Sequence, residues 1–140
     1  MEAELSPKPQ LSLRSRYVFG YTFGMEVVGA IIRNASGEYL LQQRDENAPS
    51  FKHCWTLFGG LVEQGEEPEV AFLRELNEEL DLDPKDIHSI KLIQTNKSEV
   101  TQYIFEVTTS VLLDELTLHE GESMAYIPEG SLFDRELPSI

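Results

Sequence analysis

The sequence predicts an α/β fold: a mixed β-sheet covered on both faces by helices. Three observations predict it. Short apolar segments bounded by turn residues lie on both sides of one long helical stretch; that stretch runs from Pro68 to about Leu80; and a second, shorter helical pattern, Ser131 to Leu137, follows the last apolar segment. At 140 residues the chain makes one domain large enough to bury a core, and no repeat or low-complexity tract divides it.

The elements follow in order. Residues 1 to about 16, with Pro7, Pro9 and scattered Ser, Lys and Arg, read as a flexible tail ahead of a single domain over 17–140. Tyr17 to Phe23 is aromatic and punctuated by Gly20, and reads as a short strand whose rings pack at a core or an edge. Glu26 to Arg33 contains the apolar run from Val27 to Ile32 and reads as a strand; Asn34-Ala35-Ser36-Gly37 turns the chain, and Glu38 to Arg44 returns as the partner of a hairpin. Asp45 to Cys54, with Pro49 and few apolar side chains, is a loop placed to lie over a site. Trp55 to Leu57 forms a short strand that leads into two glycines and then the long helix. Lys91 to Thr95 and Val100 to Thr109 are strands around an Asn96-Lys97-Ser98 turn, Met124 to Ile127 is a last strand, and Pro138 ends the terminal helix.

Composition narrows the function. A net charge of −14 argues against binding the phosphate backbone of duplex nucleic acid, which relies on clustered Lys and Arg. Cys54 is the only cysteine, so no intramolecular disulfide forms and a reducing compartment is expected. The first residues carry acids and prolines in place of a basic start and an apolar core, and no run approaches the roughly 18 apolar residues of a membrane span. The expectation is a cytoplasmic protein with a small-molecule ligand and no membrane partner; a homodimer is left open.

The long helix carries the chemistry. Proline stands only at its first turn, where a missing N–H is not needed and the fixed φ suits a helix start. At about 100° per residue, Val70, Leu73, Leu76, Asn77 and Leu80 share one arc, with Phe72 at its edge, and are read as the buried face. Glu75, Glu78 and Glu79 share the opposite arc, because spacings of three and four residues bring side chains together. Arg74, with Glu78 one turn on and Glu66 upstream, neutralises one or two of these acids; the others need water or a cation. A hard divalent ion such as Mg²⁺ takes oxygen ligands through one or a few carboxylates plus substrate phosphates, and Glu75, Glu78 and Glu79 suit that task.

These residues also spell G-x5-E-x7-R-E-U-x-E-E-x-G-U, with U an aliphatic residue. Through Gly60, Glu66, Arg74, Glu75, Leu76, Glu78, Glu79 and Leu82 the chain resembles the Nudix hydrolase family, of the MutT-like kind. The six fixed glycine and polar positions would match by accident on the order of once in ten thousand such sequences. Upstream, Trp55-Thr56-Leu57-Phe58-Gly59-Gly60 is similar to the tryptophan-to-double-glycine segment of many members, and the resemblance covers about residues 25 to 130. Two positions depart from the pattern. Asp81 stands where the family usually has glycine, at a cost of about 1 kcal/mol if that position is left-handed. Phe58 stands where many members have proline, which marks a subfamily.

The resemblance implies a Nudix α/β/α sandwich whose loop-helix-loop box holds Mg²⁺ or Mn²⁺ through Glu75, Glu78, Glu79 and the carbonyl of Gly60. It implies a Glu66–Arg74 ion pair that ties the glycine loop to the helix, and it matches Arg44 to a place where some members contact substrate phosphate. The implied activity is hydrolysis of an acid anhydride, the pyrophosphate linkage of a nucleoside diphosphate joined to another group such as a sugar or further phosphate. On so acidic a chain, divalent metal must also offset repulsion of a polyanionic nucleotide. Glu78 and Glu79 are candidates to take the proton of the attacking water, and so is an acid from the late loop His119-Glu120-Gly121-Glu122, with Glu120 preferred over Glu122 because it opens the turn at Gly121.

Three rivals are weighed. A His53–Cys54 dyad is disfavoured because adjacent residues in an extended segment point to opposite faces. The diphosphate isomerase branch of the fold uses a cysteine in a motif that Cys54 does not occupy. A catalytically silent, nucleotide-binding regulatory domain is the non-enzyme alternative; such domains tend to lose box carboxylates, and here every one is present.

Overall fold

The computed structural model describes residues 24–48 and 51–134. The expected tail and the strand expected at Tyr17 to Phe23 lie outside these residues. Strands β1 (Glu26–Arg33) and β2 (Tyr39–Gln43) form the expected hairpin. Its turn is held by the Asn34 side chain, whose Oδ1 accepts the N–H groups of Ser36 and Glu38 at 3.1 and 2.9 Å, a local hydrogen-bonding habit of Asn.

The hairpin strands pair over two residues, Ile32 with Leu40 and Arg33 with Tyr39. Beyond that they part, and the next segment fills the gap. Its first piece, β3 (Trp55–Thr56), pairs with β2; after Leu57 its second piece, β4 (Phe58–Leu61), pairs antiparallel with β1 from Val27–Leu61 to Ala30–Phe58. The single strand expected at Trp55 to Leu57 is therefore two, and the glycines lie inside the second. The reason is a close approach: a Cβ on Gly59 would strike the carbonyl oxygen of Val28, so only glycine lets the two backbones meet there.

On its other side β1 runs parallel to β6 (Thr101–Thr109), and β5 (Ile87–Asn96) runs antiparallel to β6 as an edge strand. Strand β5 is twice the length expected from Lys91 to Thr95, because most of its side chains are exposed and no alternation marks it. Strand β7 (Ser123–Ile127) pairs antiparallel with β2 and, among the described residues, completes a mixed sheet of seven strands.

Helix α1 (Pro68–Leu80) packs on one face of this sheet. Val28, Ala30 and Ile32 alternate toward it from β1, Phe105 and Val107 from β6, and Ala71, Phe72, Leu76 and Leu80 meet them from the helix. The rings of Phe72 and Phe105 lie 4.7 Å apart, so Phe72→Ala would open the centre of the core at a cost of about 3–5 kcal/mol. The helical face differs from the expected one. Val70 is 56% exposed and Asn77 is exposed, while Ala71 and Glu79 are buried. The buried stripe is rotated so that it includes an acid, because the helix is phased to the sheet by Glu75 and Glu79 at the glycines as well as by its aliphatic residues.

Asp81 caps the helix in the left-handed region, with φ 60° and ψ 29°, and its N–H reaches the carbonyl of Asn77 at 2.9 Å. A short helix, α2 (Ser131–Asp134), follows β7; the rest of the expected Ser131 to Leu137 helix lies outside the described residues. Among the described residues no helix is long and apolar enough to cross a membrane.

Candidate active site

The parted strands leave a cleft of about 350 Å³, lined by β1 and β4 residues, Gln42, the Arg44–Ala48 loop, Glu79, Gln102 and the Glu120–Gly121 turn. One of its walls is where the glycines meet the helix. A Cβ on Gly60 would fall inside the carboxylate of Glu75, so glycine here is what allows the box acid to lie against the strand backbone.

Arg74 organises one set of acids. Its Nε and Nη2 donate to the two oxygens of Glu66 at 2.8 and 2.9 Å, a paired fork geometry; Nη2 also donates to the carbonyl of Leu61 at 3.0 Å. Its Nη1 donates to Glu75 at 3.1 Å and to Glu78 at 3.2 Å. The hydrogen bonds from Arg74, and from the backbone N–H of Glu63, hold the Glu66 carboxyl down at about 2. Arg74 thus ties the strand end at Leu61, the loop at Glu66 and the helix into one unit. Glu78 extends from this unit to solvent, 56% exposed, whereas Glu75 is largely covered at 14%.

Glu79 faces different surroundings. It is 7% exposed, and its Oε1 accepts the N–H of Gly59 at 3.3 Å. Burial pushes its carboxyl up to about 9, helped by a hydrogen bond to Glu120 and by the charges of Glu75 and Glu120. Glu75 is raised as well, first by burial and then by Glu78 and Glu120, with Arg74 opposing.

The late loop reaches this wall through the main chain. The N–H of Thr117 donates to the carbonyl of Leu80 at 3.1 Å, and that of His119 to the carbonyl of Glu79 at 2.9 Å, so the loop satisfies the open end of the helix. His119 Nε2 also lies 3.0 Å from Asp81 Oδ1. Gly121, at φ 93°, then folds the chain so closely against Gln42 that a side chain would collide with it. Glu120 is thereby delivered to Glu79. Glu122 is not: its carboxylate meets His53 Nδ1 at 3.0 Å, and His53 Nε2 meets Glu46 at 2.9 Å, joining the Asp45 to Cys54 loop to the late loop.

Arg44 lines the cleft at the end of β2, beside Asp45, Asn47 and Ala48, so the loop between β2 and β3 does border the site. Cys54 is half-buried and its thiol is pushed up by burial, with Arg44 opposing. Sequence reasoning missed Gln42 and Gln102, both buried and both on the cleft. A polar residue on the same strand face as apolar Ile104, two residues on, was the available signal for Gln102.

Among the described residues no three acidic, histidine or cysteine side chains converge closely enough to hold a metal as they stand. Arg74 draws Glu75 and Glu78 toward itself, while Glu79 turns to Gly59 and Glu120. The donor set nevertheless fits a hard divalent cation: it is all carboxylate, it adjoins the backbone of Gly60, and it crowds Glu75, Glu79 and Glu120 at a buried wall where a positive charge would relieve their repulsion.

A family model of the NUDIX domain matches residues 25–133. Among curated proteins, none matches the chain at a significant level. Solved structures do. The MutT protein of Methanosarcina mazei Go1 is 27% identical over 81% of this chain and 83% of its own, with a TM-score of 0.63. The dihydroneopterin triphosphate pyrophosphohydrolase of E. coli is 18% identical over 73% of this chain and 79% of its own, at 0.58. An Ap4A hydrolase of C. elegans is 24% identical over 73% and 79%, at 0.52. The last two likenesses are likenesses of fold.

Proposed function

Because this chain belongs to the Nudix family, we propose that it is a divalent-cation-dependent hydrolase that cleaves the pyrophosphate linkage of a nucleoside diphosphate joined to another group. The observation that carries this reading is the almost fully buried Glu79 at the glycine wall of a cleft, with the charges of Glu75 and Glu120 bearing on it. Buried acids of like charge are costly for stability alone, and such perturbation clusters at functional sites.

Glu75, Glu78, Glu79 and the Gly60 carbonyl would hold Mg²⁺ or Mn²⁺. When bound, the cation supplies charge neutralisation for the pyrophosphate oxygens, a lowered pKa for attacking water and stabilisation of the leaving oxygen. The chain's own residues divide the remaining work. Arg74 and Glu66 hold the carboxylates in position before substrate arrives. Glu120 takes the proton of the attacking water, since it comes from the late loop, outside the cation-holding set. Arg44 contacts a substrate phosphate at the cleft mouth. The setting of this chemistry is a small nucleotide in the cytoplasm.

The test is a panel of nucleotide sugars, nucleoside triphosphates, dinucleoside polyphosphates and ADP-ribose, assayed with Mg²⁺ or Mn²⁺ for released phosphate and mononucleotide. Turnover that vanishes in excess chelator is expected; full activity in chelator would sink the reading.

A further inference from the structure

The cleft has a second polar feature, away from the carboxylates. Gln102 on β6 is 5% exposed, yet its Oε1 receives only one long hydrogen bond, from Asn96 Nδ2 at 3.5 Å, and among the described residues its Nε2 has no partner. The neighbouring buried amide behaves differently: Gln42 directs its Nε2 to the carbonyl of Leu57 at 3.4 Å. The Nε2 of Gln102 is not among the enclosed side-chain atoms that lack a partner, so this donor opens onto the cleft, where an inward Gln without a protein acceptor points to an acceptor brought by a ligand.

The surroundings define what that ligand looks like. Gln102 is in register with Val27, and the alternation of β1 places Val27 and Gly29 on one side of the sheet while Val28 and Ala30 enter the core on the other. Leu57 approaches the same side of Gly29, where a Cβ would lie 3.7 Å from its Cδ1 and 3.0 Å from Ile104 Cδ1. Val27, Gly29 and Leu57 therefore make a low apolar shelf along the cleft, and glycine keeps it flat. A planar ring fits such a shelf, with its edge toward the amide of Gln102.

We infer that Gln102 is a specificity-determining residue of this cleft, donating its side-chain N–H to the exocyclic oxygen of a nucleobase and so favouring oxo-bearing bases, guanine and uracil, over amino-bearing adenine and cytosine. The Asn96 contact orients the amide with its oxygen away and its N–H toward the cleft. Guanine O6 and uracil O4 are acceptors where adenine N6 and cytosine N4 are donors, so one fixed donor separates the two pairs. The inference rests on the nucleotide-hydrolase reading, but the recognition it describes needs no turnover.

The experiment measures dissociation constants of GDP, UDP, ADP and CDP with Mg²⁺ for the full chain, Gln102→Leu, Gln102→Met and Gln102→Glu, beside kcat/KM on the triphosphates. One neutral hydrogen bond predicts about a fivefold to tenfold preference for GDP and UDP in the natural protein. Leu and Met should each compress that ratio toward one, with the loss carried by KM rather than kcat, and either suffices if the other fails to fold. Glu, an acceptor only, should turn the ratio toward ADP and CDP. Equal binding of all four, a preference for the amino bases, no binding of any, or variants that keep the natural ratio would each overturn the inference. Base-selective binding without hydrolysis would leave it standing while removing the hydrolase reading; uniform hydrolysis of all four triphosphates would do the reverse.

Discussion

Two acids of the same kind, Glu66 and Glu79, sit at opposite ends of the carboxylate cluster and are driven in opposite directions. Glu66 is held at about 2 by hydrogen bonds from Arg74 and a backbone N–H, whereas Glu79 is pushed to about 9 by burial beside two further acids. The difference shows how one helix and its flanking loop separate architecture from reactivity. Where a guanidinium completes the pairing, the carboxylate is a permanent anion that braces the loop. Where none reaches, the carboxylate is a buried group whose charge must be supplied by something that binds.

The sharpest break of this contrast is Glu79→Gln. Turnover should fall roughly a thousandfold, since a cation-holding carboxylate is lost, while the melting temperature in chelator should stay the same or rise, because an acid that is uncharged there loses nothing as an amide. A large fall in melting temperature would place Glu79 with the bracing acids instead. Next in size is Glu120→Gln, expected to lower kcat about a hundredfold at neutral pH, with a deficit that shrinks as hydroxide replaces the base. Glu122→Gln should leave kcat near normal, since Glu122 is turned to His53; an inactive Glu122→Gln beside an active Glu120→Gln would show the roles reversed, and normal turnover in both would move the base into the helix.

Arg74→Ala tests the other side. It leaves Glu66 and Glu75 without their cation and should cost about 2–3 kcal/mol in denaturant unfolding, less than the roughly 3–5 kcal/mol of a broken, fully buried pair because Arg74 is partly exposed. The smallest effect is a pH profile of melting in chelator. Folding lowers the carboxyl of Glu66 from 4.5 to about 2, so its contribution is complete above pH 4.5 and is lost as pH falls toward 2. Folding raises that of Glu79 from 4.5 to about 9, so its protonated form favours the folded state below pH 4.5 and that advantage is lost as pH rises toward 9. Both limbs should be visible, and saturating Mg²⁺ or the Glu79→Gln change should flatten only the alkaline one. An alkaline limb that persists in Glu79→Gln would assign it elsewhere.

The parts of this site legible in the sequence are those set by short spacing. Glycine and acids repeated at fixed intervals specify a loop and a helix turn, and the hairpin was visible through the apolar run from Val27 to Ile32 and the Asn34–Gly37 turn. The phase of α1 was not visible, because a rule that sends aliphatic residues inward misplaces Val70 when a buried acid such as Glu79 claims part of the packed face. Strand β5 was read short because its exposed side chains carry no period. The approach of Glu120 to Glu79 was foreshadowed only by Gly121, since it depends on main-chain bonds between segments some forty residues apart.

That last feature bears on how such proteins tolerate insertions. His119 is fastened by its own backbone to the carbonyl of Glu79, so the position of the acid one residue later is measured from the helix end and not along the chain that leads to it. Of the residues between β6 and Thr117, Val111 and Leu116 pack on the core, and only the exposed Leu112 to Glu115 serve as slack. Segments of different length and composition could be spliced there and still present the same carboxylate at the same place, whereas a single residue inserted between His119 and Glu120 would displace it.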